Sequence, residues 1–272
     1  MSTYRISVSE GYLYPSNKEE MDKIMDNYNY RFTEKFENKE IIGVLVPHGK
    51  IQNCGELVMS GLKSLEFSHK SNFLILGTKH NSSFPINSYY DGSPFQAHGR
   101  PFPIYSRGIE IIKNNPWIQR DNLSHEKEYS IDSILPYLSR VRRDDIGILP
   151  ILLGRHNIDD SLNIARTFNA IKNESIMIVS ANLNQYENKK NTEEKDKILL
   201  DAFTSLDVER FHVVAKEINH TGCNLGGMGA LMEATRVARG SIMIIQQSIK
   251  CYNSYGNERC TGYSAIVSYR EL

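Results

Sequence analysis

Two short stretches place side chains able to do chemistry at matching positions. Val44-Leu45-Val46-Pro47-His48-Gly49 runs an apolar segment into a proline and then a histidine. Asn72-Phe73-Leu74-Ile75-Leu76-Gly77-Thr78-Lys79-His80-Asn81 repeats the arrangement, with a glycine before the histidine. Imidazole titrates near neutrality and is the commonest protein ligand for a transition metal. If both apolar runs are buried parallel strands, His48 and His80 emerge at one rim of one sheet, where open α/β sheets bind ligands. A lone histidine at a strand end is ordinarily a solvated loop residue. Two after matching strands point to a joint active or metal site.

Other stretches offer partners for that pair. The apolar run 146–153 ends in Gly154-Arg155-His156, and 175–179 ends in Ser180-Ala181-Asn182. The segment Ser124-His125-Glu126-Lys127-Glu128-Tyr129-Ser130-Ile131-Asp132 contains carboxylates that could join two histidines as a third ligand or act as a base. Taken alone, they read more simply as charges at a helix start. In Asn219-His220-Thr221-Gly222-Cys223-Asn224-Leu225-Gly226-Gly227-Met228-Gly229, a cysteine precedes a helix start, a setting that favours the thiolate as ligand or nucleophile. The glycines there lack the strand and the spacing of a dinucleotide or phosphate loop, and no P-loop, nucleophile elbow or HExxH is present.

The elements that must position these residues follow from periodicity. Apolar runs at 41–46, 73–76, 146–153, 175–179, 241–249 and 263–269 alternate with segments of helical spacing at 16–28, 55–65, 109–112, 130–138, 159–171, 195–205, 207–217 and 225–239. Asn17 or Ser16 can cap the first helix, and Pro136 should kink or shorten the one containing it. Residues 85–107, rich in Gly, Pro and Ser, read as an excursion with short strands, and 4–8 as a further short strand. Such alternation predicts an α/β fold: a single domain over 1–272, with a mostly parallel central sheet flanked by helices on both faces.

Composition narrows the partners. Thirty-two basic and thirty-two acidic residues leave a formal net charge of zero, which gives no footprint for nucleic acid or an anionic membrane. The mixed-charge run 187–197 reads as a solvated helix start. No apolar run is long enough to span a bilayer and the N-terminus does not resemble a signal peptide, so a soluble cytoplasmic protein is expected. Four scattered cysteines, Cys54, Cys223, Cys251 and Cys260, form neither a disulfide framework nor a CxxC zinc site, and each is expected to be a small buried hydrophobe. Composition says little about oligomeric state.

In order, and across nearly the whole chain, these stretches resemble the MEMO family, also described as component B of the AmmeMemoRadiSam system. The family pattern has an aromatic Gly-x-Trp-Tyr turn; Pro-His-Ala-Gly-Tyr with Cys-Gly or Ser-Gly soon after; Leu-Gly-Pro-Ser-His-His; Glu-His-Ser-Leu-Glu followed by Leu-Pro-Phe-Leu; Ser-Ser-Asp-Phe-x-His-Tyr; and Thr-x-Cys-Gly. This chain has Gly11-Tyr12-Leu13-Tyr14; Pro47-His48-Gly49-Lys50-Ile51 with Cys54-Gly55; Leu76-Gly77-Thr78-Lys79-His80-Asn81; and Glu128-Tyr129-Ser130-Ile131-Asp132 followed by Leu135-Pro136-Tyr137-Leu138. It also has Ser180-Ala181-Asn182-Leu183-Asn184-Gln185-Tyr186 and Thr221-Gly222-Cys223-Asn224.

The resemblance implies a fold similar to the LigB-type (class III) extradiol dioxygenases, which use non-haem iron. It implies a pocket lined by two histidines, an aspartate, a third histidine and a cysteine. His48, His80 and Cys223 are retained; the aspartate becomes Asn182, the third histidine Gln185, and the histidine beside the family glutamate Tyr129. Asn182 supplies no negative charge, and Gln185 cannot shuttle a proton near neutral pH. The implied site is therefore His48, His80 and Cys223 as ligands of one transition metal ion (Fe, Cu or Zn) or a metal-free pocket. Asn182 and Gln185 would donate hydrogen bonds around it, and Glu128 would orient a ligand. The implied roles are a metal-dependent oxidative enzyme, a non-catalytic module binding a peptide or small molecule, or a partner protein in an AmmeMemoRadiSam-type assembly.

Overall fold

The computed structural model describes residues 4–29, 36–80 and 85–272, so Asn81 lies outside the described residues. Asn17 accepts the Glu20 N–H at 2.9 Å and starts α1 (Lys18–Asp26), whose first turn carries Glu19 and Glu20 at the positive helix end. β1 (Lys39–Val46) leads through Pro47 and His48 into α2 (Ile51–Leu62), and β2 (Asn72–Thr78) leads to His80. The expected excursion contains β3 (Ser88–Tyr89), β4 (Phe95–Ala97) and β5 (Arg100–Phe102). It is followed by α3 (Ser106–Ile112), β6 (Gln119–Arg120) and α4 (Asn122–Glu126). The short strand expected at 4–8 is reduced to a single bridge from Arg5 to Phe95. α5 (Leu135–Val141) begins one residue before Pro136, so the proline sits in the first turn, where its missing N–H removes no helical bond.

β7 (Gly147–Leu153), α6 (Ile158–Ile171), β8 (Ser175–Ser180), β9 (Gln185–Glu187), α7 (Lys189–Thr204), α8 (Val208–Glu217) and α9 (Leu225–Val237) complete the alternating part. The chain closes with β10 (Ser241–Ser254) and β11 (Asn257–Glu271). One sheet of nine strands has the order β10-β11-β1-β8-β2-β7-β3-β6, with β9 paired to β11. Its centre, β1-β8-β2-β7, is parallel, as the alternation predicts, while β11, β10, β9 and β3 are antiparallel additions.

Both faces are covered. Val44, Val46, Phe73 and Ile75 pack in one core with Leu57 and Leu62 of α2 and Leu138 of α5. Leu45, Leu74, Leu76 and Val179 pack in the other with Phe168, Phe203, Phe211 and Leu231 of α6 to α9. The alternation along each strand is the period-two pleat, and it reads as a continuous apolar run because both sides are buried.

The C-terminal strands differ from expectation. The polar residues between the two apolar runs extend both strands: pairing continues without interruption from Ser248↔Tyr263 to Ser254↔Asn257. The chain reverses at Tyr255 and Gly256, whose φ of 51° and 81° suit a tight hairpin turn. This register sets Cys251 opposite Cys260, and the two are joined by a disulfide with a Cα–Cα distance of 4.0 Å. The expectation of four buried small hydrophobes is therefore corrected: Cys54 and Cys223 are free and buried, while Cys251 is exposed and bonded. Polarity hid the strand, and without the strand the pairing could not be seen. Denatured protein should titrate two thiols with a chromogenic disulfide reagent and four after reduction; four without reductant would remove the bond.

Candidate functional site

The parallel strands bring His48 and His80 to the same rim, although β1 and β2 are not neighbours. β8 lies between them, and the imidazole centroids are 5.1 Å apart. Cys223, just before the Asn224 cap of α9, completes the group: one donor atom from each of His48, His80 and Cys223 lies within 4.8 Å of the others.

Hydrogen bonds fix which atoms face inward. The Ser180 hydroxyl donates to the Ser130 carbonyl at 2.5 Å, which leaves it to accept from His48 Nδ1 at 2.9 Å. His48 Nδ1 therefore carries a hydrogen, and Nε2 faces Cys223 Sγ at 3.7 Å, where it can share a proton with the sulfur or, once that proton is lost, offer a lone pair. His80 Nδ1 pairs with Glu128 Oε1 at 2.8 Å, and His80 N–H donates to Oε2 at 2.8 Å. Glu128 also accepts the backbone N–H groups of Tyr129 and Ser130, so its carboxylate is saturated. This carboxylate–imidazole pairing orients the ring and raises its basicity, as behind many metal-bound histidines.

The charges are coupled. Burial raises the Cys223 pKa, but the nearby imidazoles of His48 and His80 outweigh it and hold the thiol at about 6. Burial lowers the His80 pKa; Cys223 and Glu128 outweigh that and raise it to about 10. The Asn182 N–H adds a hydrogen bond to the sulfur at 3.1 Å. Tyr129 stacks on His80 at 4.8 Å, and burial followed by the charge of Glu128 keeps its phenol protonated.

Asn182 lies beside this group with its side chain already committed. Its Oδ1 accepts His48 N–H at 3.1 Å and its Nδ2 donates to the His48 carbonyl at 3.0 Å. Only an amide can do both. Asn182→Asp should remove the donor and set a second anion beside Cys223, costing about 1–3 kcal/mol. The thiolate absorbance midpoint of the metal-free protein should rise with it. A variant with unchanged urea stability and midpoint would contradict the pairing.

Gln185 stands apart: its hydrogen bonds run through its backbone to the Thr221 hydroxyl at 2.9 and 2.8 Å. Of the other candidates, Glu126 is exposed, and His156 is half-buried outside the ligand group. Asp132 is buried against Arg5 at 3.2 Å and accepts Ser7 and Val8, so it anchors the N-terminal segment. Arg5 in turn donates to the carbonyls of His125 and Glu128, clamping the loop that holds Glu128.

Several supports escape a sequence reading. Ser130 accepts Thr78 N–H at 3.0 Å, and this close approach requires Gly77, where a Cβ would lie 2.5 Å from Ser130 Oγ. Asp196 Oδ1 accepts both the N–H and the Nδ2 of Asn184, and Asn184 holds Thr221 N–H at 3.1 Å. The only advance signal for Asp196 is an acid on the apolar side of a helical repeat. Burial pushes its pKa up to about 6, with the Asn184 bonds only partly offsetting. An acid whose folded pKa exceeds its unfolded one is stabilised while protonated. Its contribution is present below about pH 4 and is lost as pH rises through 6. Asp196→Asn should therefore gain up to about 3 kcal/mol over wild type at pH 8 relative to pH 4. Parallel stability–pH curves from urea melts would refute this.

A mostly parallel α/β protein with a two-imidazole, one-thiolate group at its strand ends is the class these observations define. The chain belongs to the Memo-like protein family, whose family model matches residues 5–271. It is 28% identical over 259 residues to MEMO1 family protein Ta0237 of Thermoplasma acidophilum, covering 95% of this chain and 96% of that one. It is 26% identical over 263 residues to MEMO1 family protein TV1383 of Thermoplasma volcanium, covering 96% and 97%. A MEMO1 family protein of Aquifex aeolicus is 27% identical, covering 95% and 94%. Among solved structures, uncharacterized protein JW3007 from Escherichia coli K12 shares the fold, with a TM-score of 0.54 at 12% identity over 84% of this chain and 99% of that one. Among the described residues, no helix is long and apolar enough to cross a membrane.

Proposed function

We propose that the protein is a metal-dependent redox enzyme acting on a small organic molecule, with one transition metal ion held by His48 Nε2, His80 Nε2 and Cys223 Sγ. The observation that carries this reading is the donor set. Both Nδ1 atoms are tied back to Ser180 and Glu128, and a depressed thiol lies within 4.8 Å of both rings. Two imidazoles and a thiolate suit Cu(I), Fe(II) or Zn(II), and three protein ligands leave a position open. When bound, such a metal supplies electron transfer or Lewis acidity at that open position.

The chain's own residues favour redox work over hydrolysis. Glu128 accepts four hydrogen bonds and is held below the ordinary carboxylate range by His80 against the opposing effect of burial, so it is a poor proton acceptor. Asn182 is spent on the His48 backbone. Tyr129, kept as a phenol, is available to donate a hydrogen bond to a bound oxygen atom. The likeness to LigB-type dioxygenases belongs with this proposal.

A second reading, a non-catalytic binding module for a small molecule or peptide, is favoured by the aromatic side chains near the site. Tyr12 is 70% exposed and Tyr186 58% exposed, and both lie on the Tyr129 side of the site. Such rings offer area at low entropic cost. Protein purified without added metal separates the two. Stoichiometric iron, copper or zinc, lost together in His48→Ala and Cys223→Ala, is the expected result for the enzyme. Protein that arrives metal-free and takes up none of Fe(II), Cu(I) and Zn(II) leaves only the binding module.

A further inference from the structure

The sheet has a second concavity at its opposite end. Between α6, α9 and the beginning of β1 lies a cavity of about 520 Å³, within the range of small-molecule sites. β1 runs from Glu40 at this cavity toward His48, so the two are separated by about 20 Å of strand. Its floor is apolar: Ile42, Phe168 and Ala234 line it while packing in the core behind. Ile42, Phe168 and Ala234 are already covered, at 5%, 3% and 7% exposed, but Val237 beside them lines the cavity at 50% exposed and has no apolar cover.

The rim is cationic. Lys70, Arg166, Lys172, Arg239 and Arg270 line the opening against two carboxylates, Glu40 and Glu233. The carboxylates are occupied, since Glu40 binds Lys70 and Arg270 and Glu233 binds Arg236. Among the described residues, Arg166, Lys172 and Arg239 form no ion pair. Neutralisation of helix ends accounts for part of this, because Lys172 caps the C-terminus of α6 and Arg239 follows the cap of α9. Each helix end carries about half a negative charge, so the two ends balance about one of the three cations. Because Lys70 and Arg270 share the one carboxylate of Glu40, about three positive charges remain at the rim.

We propose that this cavity binds a small organic anion: a phosphate- or carboxylate-bearing molecule whose planar or short-chain apolar body lies on Val237 and the edges of Phe168 and Ala234. Its head meets Arg166, Lys172 and Arg239. Inorganic phosphate alone leaves Val237 uncovered, and an uncharged hydrocarbon leaves the cations unpaired. The site is independent of the metal centre.

The test is calorimetric titration of the full chain with 1-naphthyl phosphate, using inorganic phosphate and 1-naphthol as head-only and body-only controls. The expected result is one site that takes the intact ester at least tenfold more tightly than either part. Lys172→Ala with Arg239→Ala, both at exposed positions, should weaken binding at least tenfold while the far-ultraviolet circular dichroism shows the chain still folded. Ala234→Leu, which fills the floor, should abolish it, and His48→Ala should leave it unchanged. No binding of the ester, equal affinity for a part, indifference to the double charge variant, or loss in His48→Ala would each overturn the proposal.

Discussion

The buried carbonyls and amides at the ends of β2 and β8 set the terms for everything around them. The ladder between these two strands ends at Leu76↔Val179 inside the protein, and the polar groups beyond it on that side need other partners, each unmet one costing about 1–3 kcal/mol. Asn224 answers two of them with one amide, donating to the carbonyls of Leu76 and Ser180 at 2.9 Å each, while its Oδ1 caps α9 at Gly227. Ser130 answers another at Thr78 and receives the Ser180 hydroxyl. The segments that must supply these groups also carry Cys223, beside Asn224, and Glu128, two residues before Ser130. The constellation at the rim follows from the need to close the strand ends.

That dependence also decides the electrostatics. The two uncharged amides at the positions of the implied acid and third histidine are not equivalent. Asn182 holds His48 in place, whereas Gln185 contributes its backbone to the wall near Thr221. The negative charge available to a cation is therefore a single thiolate. Two imidazoles and one thiolate would neutralise a monovalent ion held there and would leave a divalent one with a net positive charge that favours anionic ligands.

The parts legible in the sequence were those where local chemistry and local position coincide. His48 and His80 follow apolar runs, Cys223 precedes a glycine-rich helix start, and Asn17 stands ahead of two glutamates. Each such signal lies within a few residues of what it predicts. The parts that were not legible depend on pairings across the chain. Arg5 binds Asp132 across 127 positions of sequence, and Asp196 makes sense only once Asn184 is beside it. The polar half of the hairpin has no apolar alternation to reveal it, because its outer residues pack on nothing. Cys251 and Cys260 thus read as unrelated. The rim site emerged from repeated local patterns, and its scaffold from contacts that no window of sequence contains.

The position of β8 between β1 and β2 has a consequence for how the protein is made. The two histidine-bearing strands are complete by residue 80, but the strand that separates them arrives about a hundred residues later, and the cysteine later still. Closing such long loops is slow, since chain entropy must be surrendered before any contact repays it. A nascent chain holding both histidines therefore cannot present them to one ion at the right separation. Loading with the proposed metal would then act as a proofreading step, open only to molecules whose sheet has been fully threaded.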